Sequence, residues 1–434
     1  MSSPLSDEFL LPRVRDVGGI NVKNLDGPCT YLCGNSLGAL AARSKQMVEE
    51  ELDVWSKRAV VGHFDHPHGR QWVDSTKLAT PLLAEILGAN DSEVAVMGTL
   101  TANLHLTMSS FYKPNATRYK ILCESHAFPS DQYAFQSQVR AHGLDPKDAI
   151  IEMEPRKGEF TLREEDILAT IEREGSSIAL VLFSGVQYYT GQLFPIQKIT
   201  AKAQEQGCIC GWDLAHATGN VPLSLHDWGV DFAMGCTYKY LNSGAGGIGF
   251  LYIHDKWNDK ELPKYAGWWG VETKKRFQME SKFVPIAGAA GFQQSNPSAL
   301  CVAALLGSLE VFKKVGMMGP IRERSILLTS TLESLLKKSK FFVDASEASN
   351  VKTTAFTIIT PSDPEARGAQ LSLLFLPLGS GLMQRVYDYL VEYGGVIGDE
   401  RRPDVIRLAP APLYNTLADC EHAAEILNEA LERE

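Results

Sequence analysis

Between residues 178 and 253 the chain repeats an arrangement that few folds can accept. Residues 178–183, Ile-Ala-Leu-Val-Leu-Phe, are apolar without a break, and residues 208–212, 230–236 and 248–253 are nearly so. Short segments this apolar, bounded by polar or glycine-containing turns, read as strands buried on both faces. Helical stretches alternate with them at residues 166–173 and 196–206, the second ended by Gly207. Upstream, residues 94–97 and 120–123 read as further strands. The alternation predicts an α/β fold whose large domain holds a mostly parallel sheet covered by helices. In such sheets ligands sit beyond the carboxyl ends of the strands. Ser184, Asp213 and Lys239 all fall at predicted strand ends.

The flanks complete the plan. Residues 44–57 have helical periodicity, and residues 74–87 read as an amphipathic helix closed by Gly88. Gly98-Thr99-Leu100-Thr101-Ala102-Asn103 joins a strand to a helix reaching about Tyr112. Such a joint can offer backbone N–H groups to a phosphate, or can be an ordinary capped helix. Beyond Pro297 come two long helices, to about Phe312 and over residues 321–338. Strands at 354–359 and 370–375 then alternate with further helices, as in a smaller α+β domain. The expected division is an N-terminal segment, 1–60, packed with the small domain, a large domain, 61–310, and the small domain, 311–434.

Composition excludes several classes of function. The net charge of −10 includes no basic block, so nucleic acid is not an expected partner. No apolar run reaches membrane-spanning length. The first twelve residues carry no basic region followed by an apolar core, so a cytoplasmic location is expected. Eight irregularly spaced cysteines read as free thiols, with Cys208 and Cys210 in a core strand. His63, His66 and His68 have no regular ligand spacing, and no metal is expected.

Lys239 stands out in Gly235-Cys236-Thr237-Tyr238-Lys239-Tyr240, just past one buried strand. It either snorkels to water past its tyrosines or has a chemical task. A desolvated lysine amine can form a Schiff base with an aldehyde. Asp213, in Asp213-Leu214-Ala215-His216, ends another buried strand, where a carboxylate needs a cationic partner. A pyridinium nitrogen is such a partner. His216 is either a satisfied core histidine or a support for Asp213 or for the ring. Gly244-Ala245-Gly246-Gly247-Ile248-Gly249 fits the dinucleotide fingerprint in letters only, because a strand follows it rather than a helix.

Taken in order, Gly34-Asn35-Ser36-Leu37-Gly38, Leu100-Thr101-Ala102-Asn103, Phe128-Pro129-Ser130-Asp131, Ser184-Gly185, Tyr189-Thr190-Gly191, Asp213-Leu214-Ala215-His216, Tyr238-Lys239, Ser295-Asn296-Pro297 and Ile406-Arg407-Leu408 resemble the kynureninase family over about residues 30–425. The resemblance implies the pyridoxal-phosphate fold of aspartate aminotransferase (fold type I), with a seven-stranded-type sheet. It implies pyridoxal 5'-phosphate as cofactor, held by Lys239 and opposed by Asp213. Leu100, Thr101, Phe128, Pro129, Ser130, Asp131, Ser184, His216 and Tyr238 would contact it, with Trp268 and Asn296 reaching over from a neighbouring subunit of a homodimer. Asn35, Ser36, His63 and Arg407 would line the pocket for an amino-acid substrate. Arg407 also has a physical rationale, since a planar guanidinium suits bidentate capture of a carboxylate. Tyr189 would be an acid–base group or a phosphate ligand only. The implied reaction is hydrolysis of L-kynurenine or 3-hydroxy-L-kynurenine to an anthranilate and L-alanine, within tryptophan catabolism. The stretch from Phe64 to His68 departs from the family pattern.

Overall fold

The computed structural model describes residues 5–434; Met1 to Pro4 of the expected N-terminal segment lie outside the described residues. Seven strands form the central sheet: β1 (Val94–Val96), β2 (Lys120–Glu124), β3 (Ile150–Met153), β4 (Ile178–Ser184), β5 (Ile209–Asp213), β6 (Phe232–Cys236) and β7 (Gly249–Ile253). Their spatial order is β1-β7-β6-β5-β4-β2-β3. From β6 to β3 neighbours run parallel, and β7 runs antiparallel to both β6 and β1. The two-sided apolar pattern has its cause in the pleat. Val181, Phe183, Trp212 and Phe250 enter the core on one face, and Leu180, Leu182, Phe232 and Leu251 enter the core on the other. Cys208 and Cys210 belong to the first of these cores. β3 goes unread in the sequence because it is an edge strand, half-exposed, with Glu152 interrupting its apolar run.

The helices are α1 (Ala42–Arg58), α2 (Ala79–Leu87), α3 (Leu100–Phe111), α4 (Pro129–Ala141), α5 (Glu164–Glu174), α6 (Ile196–Glu205), α7 (Ala299–Lys314) and α8 (Met318–Lys337). The helix expected over 74–87 is in two pieces. A 3-10 segment, Trp72–Lys77, precedes α2, and Asp74 within it leaves helical geometry at φ −130°. Gly88 does close α2 in the left-handed region. α1 lies against α7 so closely that a Cβ on Gly307 would fall 2.5 Å from the Ser44 backbone. The Ser44 hydroxyl donates to the Ala304 carbonyl across that contact (2.7 Å).

A second, antiparallel sheet, β8 (Ala355–Ile358), β9 (Leu371–Leu376), β10 (Asp399–Arg401) and β11 (Val405–Leu408), has the order β8-β9-β11-β10. It packs with α8, α9 (Leu382–Gly394) and α10 (Leu417–Glu432) around Leu332, Phe356, Leu373, Leu390 and Leu427. The N-terminal segment divides between the two bodies. Thr30–Tyr31 pairs with Val396–Ile397, and Leu32 enters the small core. α1 joins the large one. All eight cysteines are free thiols. Among the described residues, no helix is long and apolar enough to cross a membrane.

Candidate active site

Four adjacent strands deliver polar groups to one edge of the sheet. β2 ends in Glu124, β4 in Ser184 and β5 in Asp213, while β6 ends in Cys236 and leads into Lys239. Register sets Ser184 opposite Asp213. A cavity opens there, walled by Leu100, Thr101, Phe128, Ser130, Ser184, Tyr188, Asp213, His216, Tyr238 and Lys239 among others.

The lysine loop is held from outside. Asn242 turns it through a positive φ of 52°. The Gly38 N–H donates to the Tyr238 carbonyl at 2.8 Å, and a Cβ on Gly38 would meet the Lys239 carbonyl oxygen at 2.2 Å. The loop Gly34 to Gly38 is therefore pressed onto the lysine. The Lys239 amine does not run out to bulk water: Nζ donates to His216 Nε2 at 2.9 Å and sits 5.9 Å from the Phe128 ring. Burial first, and then the Lys239 charge, hold the His216 imidazole well below its ordinary value. A neutral ring with its Nε2 lone pair facing Lys239 carries its proton on Nδ1, which is buried and unpartnered.

The floor is acidic. Asp213 is buried and accepts from the Ala215 N–H at 2.7 Å. Glu124, also buried, accepts from the Ser184 hydroxyl at 2.5 Å and from its N–H at 3.2 Å. Burial pushes Glu124 up to about 7, against those hydrogen bonds and with the Asp213 charge adding to the shift. Burial and then Asp213 raise Asp131 well above the carboxylate range, and its Oδ1 has no partner. Carboxyl groups this close and this dry do not all ionise together. Opposite them α3 begins without a side-chain cap, so Leu100 and Thr101 bring open backbone donors to the wall. Asn103 fixes that turn by donating to the carbonyls of Met97 (2.9 Å) and Phe250 (3.2 Å). Pro129 occupies the first turn of α4 just after Phe128.

A second network borders the cavity. Asn35 Nδ2 donates to Gln370 Oε1 (3.0 Å), Gln370 Nε2 to the Tyr188 carbonyl (2.9 Å), and Arg407 to the same carbonyl (2.6 Å). Arg407 is wholly buried and paired with Asp399, yet its Nε has no partner, and neither has Asn35 Oδ1. Ser36 lies in the turn beside Asn35, its N–H on the Cys33 carbonyl.

Other expected residues are not brought to this cavity. Tyr189 faces a neighbouring one and packs against the small-domain side, leaving Tyr188 at the lysine's wall. His63 packs edge-on against Trp72 at 5.3 Å. Trp268 is half-exposed and donates to the Arg276 carbonyl, and Asn296 is exposed. Glu124, Tyr188 and Gln370 escape a sequence reading. Glu124 carries the same signal as Asp213, an acid closing a buried strand.

The aminotransferase class-V family profile matches residues 46–366, and the kynureninase C-terminal domain profile matches residues 321–427. Kynureninase of Yarrowia lipolytica is 51% identical over 412 residues, covering 92% of this chain and 94% of that protein. The chain belongs to the kynureninase family. Kynureninase of Saccharomyces cerevisiae is 49% identical over 99% of this chain and 97% of its own length, and that of Nematostella vectensis is 49% identical over 98% and 90%. Among solved structures, an apo cysteine desulfurase from Thermococcus onnurineus overlays with a TM-score of 0.74 at 16% identity, covering 94% of this chain and 95% of that one. A C-DES mutant with glycine covalently linked to its PLP cofactor gives 0.74 at 17%, covering 92% and 96%. These two share the fold. Within the kynureninase frame the residues present fit pyridoxal 5'-phosphate: an amine for the aldehyde, a buried carboxylate for the ring nitrogen, an aromatic face, and an uncapped helix start for the phosphate.

Proposed function

We propose that this chain hydrolyses L-kynurenine, 3-hydroxy-L-kynurenine or both to the corresponding anthranilate and L-alanine, in tryptophan catabolism and de novo NAD biosynthesis. The observation that carries the proposal is the placement of Lys239, His216 and Asp213 in one cavity of a chain about half identical to kynureninases along nearly its full length. Bound at Lys239, the cofactor supplies an electron sink that lets the substrate's Cα–H and then its Cβ–Cγ bond break. The chain supplies the rest. Asp213 would face the ring nitrogen and hold its proton there. The Lys239 amine would carry the α-proton, and neutral His216 can accept a hydrogen bond from it. Arg407, with an unpartnered Nε, and Asn35, with an unpartnered Oδ1, hold the amino-acid end of the substrate. Tyr238 and Tyr188, both on the cavity wall, are the phenols that would serve as acid and base for water addition, with Tyr189 a phosphate ligand at most.

A homodimer accounts for the residues that miss the cavity. His63, Phe64, Phe277 and Trp268 form one chain of ring contacts (6.2, 5.5 and 5.5 Å) on an exposed apolar face with Val60, Val61 and Met279. Those rings and Asn296 would complete a partner's site. Eight free thiols support a cytoplasmic location.

The fold would also suit a cysteine desulfurase. Against it, Cys236 lines the cavity but is buried, and burial raises its thiol above the ordinary value, the opposite of an activated nucleophile. The test is release of alanine and the anthranilate from each aryl substrate by the cofactor-loaded chain, with cysteine as comparison. Lys239→Ala should abolish both turnover and the visible absorption of the bound cofactor; sulfur release from cysteine, or turnover by Lys239→Ala, overturns the reading.

A further inference from the structure

At the opposite end of the sheet from Lys239, where β1 begins and β7 ends, four side chains converge. Glu93 Oε1 lies 3.0 Å from His226 Nδ1 and 3.4 Å from His254 Nδ1, and His254 Nδ1 lies 2.9 Å from Asp255 Oδ1. The four donor atoms all fall within 4.8 Å of one another. Glu93 and His254 are buried, so this is a built site rather than a scatter of surface acids.

These groups also meet amide and backbone donors. Asn90 uses its side-chain oxygen to accept from the Glu93 N–H in a capping box, which fixes its Nδ2 as the group facing His226 Nδ1 at 3.2 Å. Nδ2 can donate to that nitrogen. His254 Nδ1 likewise accepts, from the Lys256 N–H at 3.1 Å. Two imidazole nitrogens and two carboxylate oxygens therefore crowd one small space. The Glu93 carboxylate cannot turn away, because the N–H groups of Asn90 (2.8 Å) and Asp255 (2.9 Å) hold one oxygen each. Two carboxylates with two neutral imidazoles would balance the charge of a divalent ion seated among them. Tetrahedral bonds of about 2.0–2.2 Å set neighbouring donors roughly 3.4 Å apart, close to the spacings seen.

We infer that Glu93, His226, His254 and Asp255 form a structural site for a divalent transition-metal ion of the zinc class, clipping the start of β1 to the turn before β6 and to the end of β7. Mixed imidazole and carboxylate donors favour zinc over magnesium or calcium, which prefer all-oxygen shells. The site lies about 15 Å from the lysine edge, a full strand length, so its role is to brace the strand that leads into the Leu100–Thr101 turn.

The experiment is calorimetric titration of the cofactor-loaded enzyme with zinc chloride after chelator treatment, together with thermal unfolding in the same solutions. One equivalent should bind with micromolar or tighter affinity and raise the unfolding temperature. His226→Gln and Asp255→Asn, at side chains exposed enough to be replaced without unfolding the chain, should each weaken binding about tenfold or more and remove the thermal shift, with turnover unchanged. Absence of saturable binding, or equal affinity in both variants, overturns the assignment and leaves a hydrogen-bonded histidine cluster.

Discussion

Glu124→Gln offers the sharpest test of the acidic floor. The carboxyl of Glu124 is buried and stands at about 7, against an ordinary value of 4.5. In the unfolded chain it would lose its proton near 4.5, whereas the folded protein holds the proton to about 7. The folded state is thus favoured below 4.5, and that advantage disappears as pH rises through 7. At about 1.4 kcal/mol per pH unit, the loss is on the order of 3 kcal/mol. Glutamine cannot titrate, and its amide oxygen can still accept from the Ser184 N–H and hydroxyl. The variant should therefore gain on the wild type with rising pH, by up to about 3 kcal/mol between about pH 5 and about pH 8. Urea unfolding of the cofactor-free protein across that range measures the difference, and subtraction removes every group the two proteins share. Parallel stability profiles would refute the reasoning, because they would mean that Glu124 ionises as easily inside the protein as outside.

Arg407→Lys keeps the charge and loses the planar fork. Charge-assisted hydrogen bonds worth about 1.5–3 kcal/mol imply a KM for the amino-acid substrate roughly 10- to 100-fold higher, and an unchanged KM removes Arg407 from the pocket. Gly38→Ala drives a methyl group into the Lys239 carbonyl. It should lower stability by about 1–3 kcal/mol and speed cofactor loss, both readable by thermal unfolding and by absorbance after dilution. Phe277→Glu combined with Phe64→Glu charges the exposed aromatic face. Sedimentation should then find monomers with little turnover; an active dimer would place the subunit contact elsewhere.

The sheet was legible because burial on both faces leaves unbroken apolar strands, and β3 was not because only an edge strand can carry Glu152 outward. Lys239 and Asp213 stand out for one shared reason, a charge at the end of an otherwise apolar strand, whereas Arg407 comes from the family resemblance and the fit of a planar guanidinium to a carboxylate. Glu124 obeys the same rule, but an acid ending a strand is equally common at a solvated end, and only the neighbouring Ser184 and Asp213 reveal its burial. Tyr188 and Tyr189 differ only in which way a loop turns them, and no periodicity encodes that. His63 and Trp268 lie on a surface whose purpose a single chain does not display. The N-terminal segment was expected beside the small domain; its strand and the loop through Ile20 and Asn21, which donates to the Glu392 carbonyl, lie there, while α1 packs on α7. The close approach of α1 and α7 at Gly307 depends on helices far apart in sequence.

Residues 30–38 are anchored at one end to the small domain through Val396 and Ile397, and at the other to the backbone of the lysine loop through Gly38. That stretch is short and carries no slack. A tilt of the C-terminal body would therefore arrive at the reacting amine almost undamped, and closure over a substrate could be sensed where the chemistry begins.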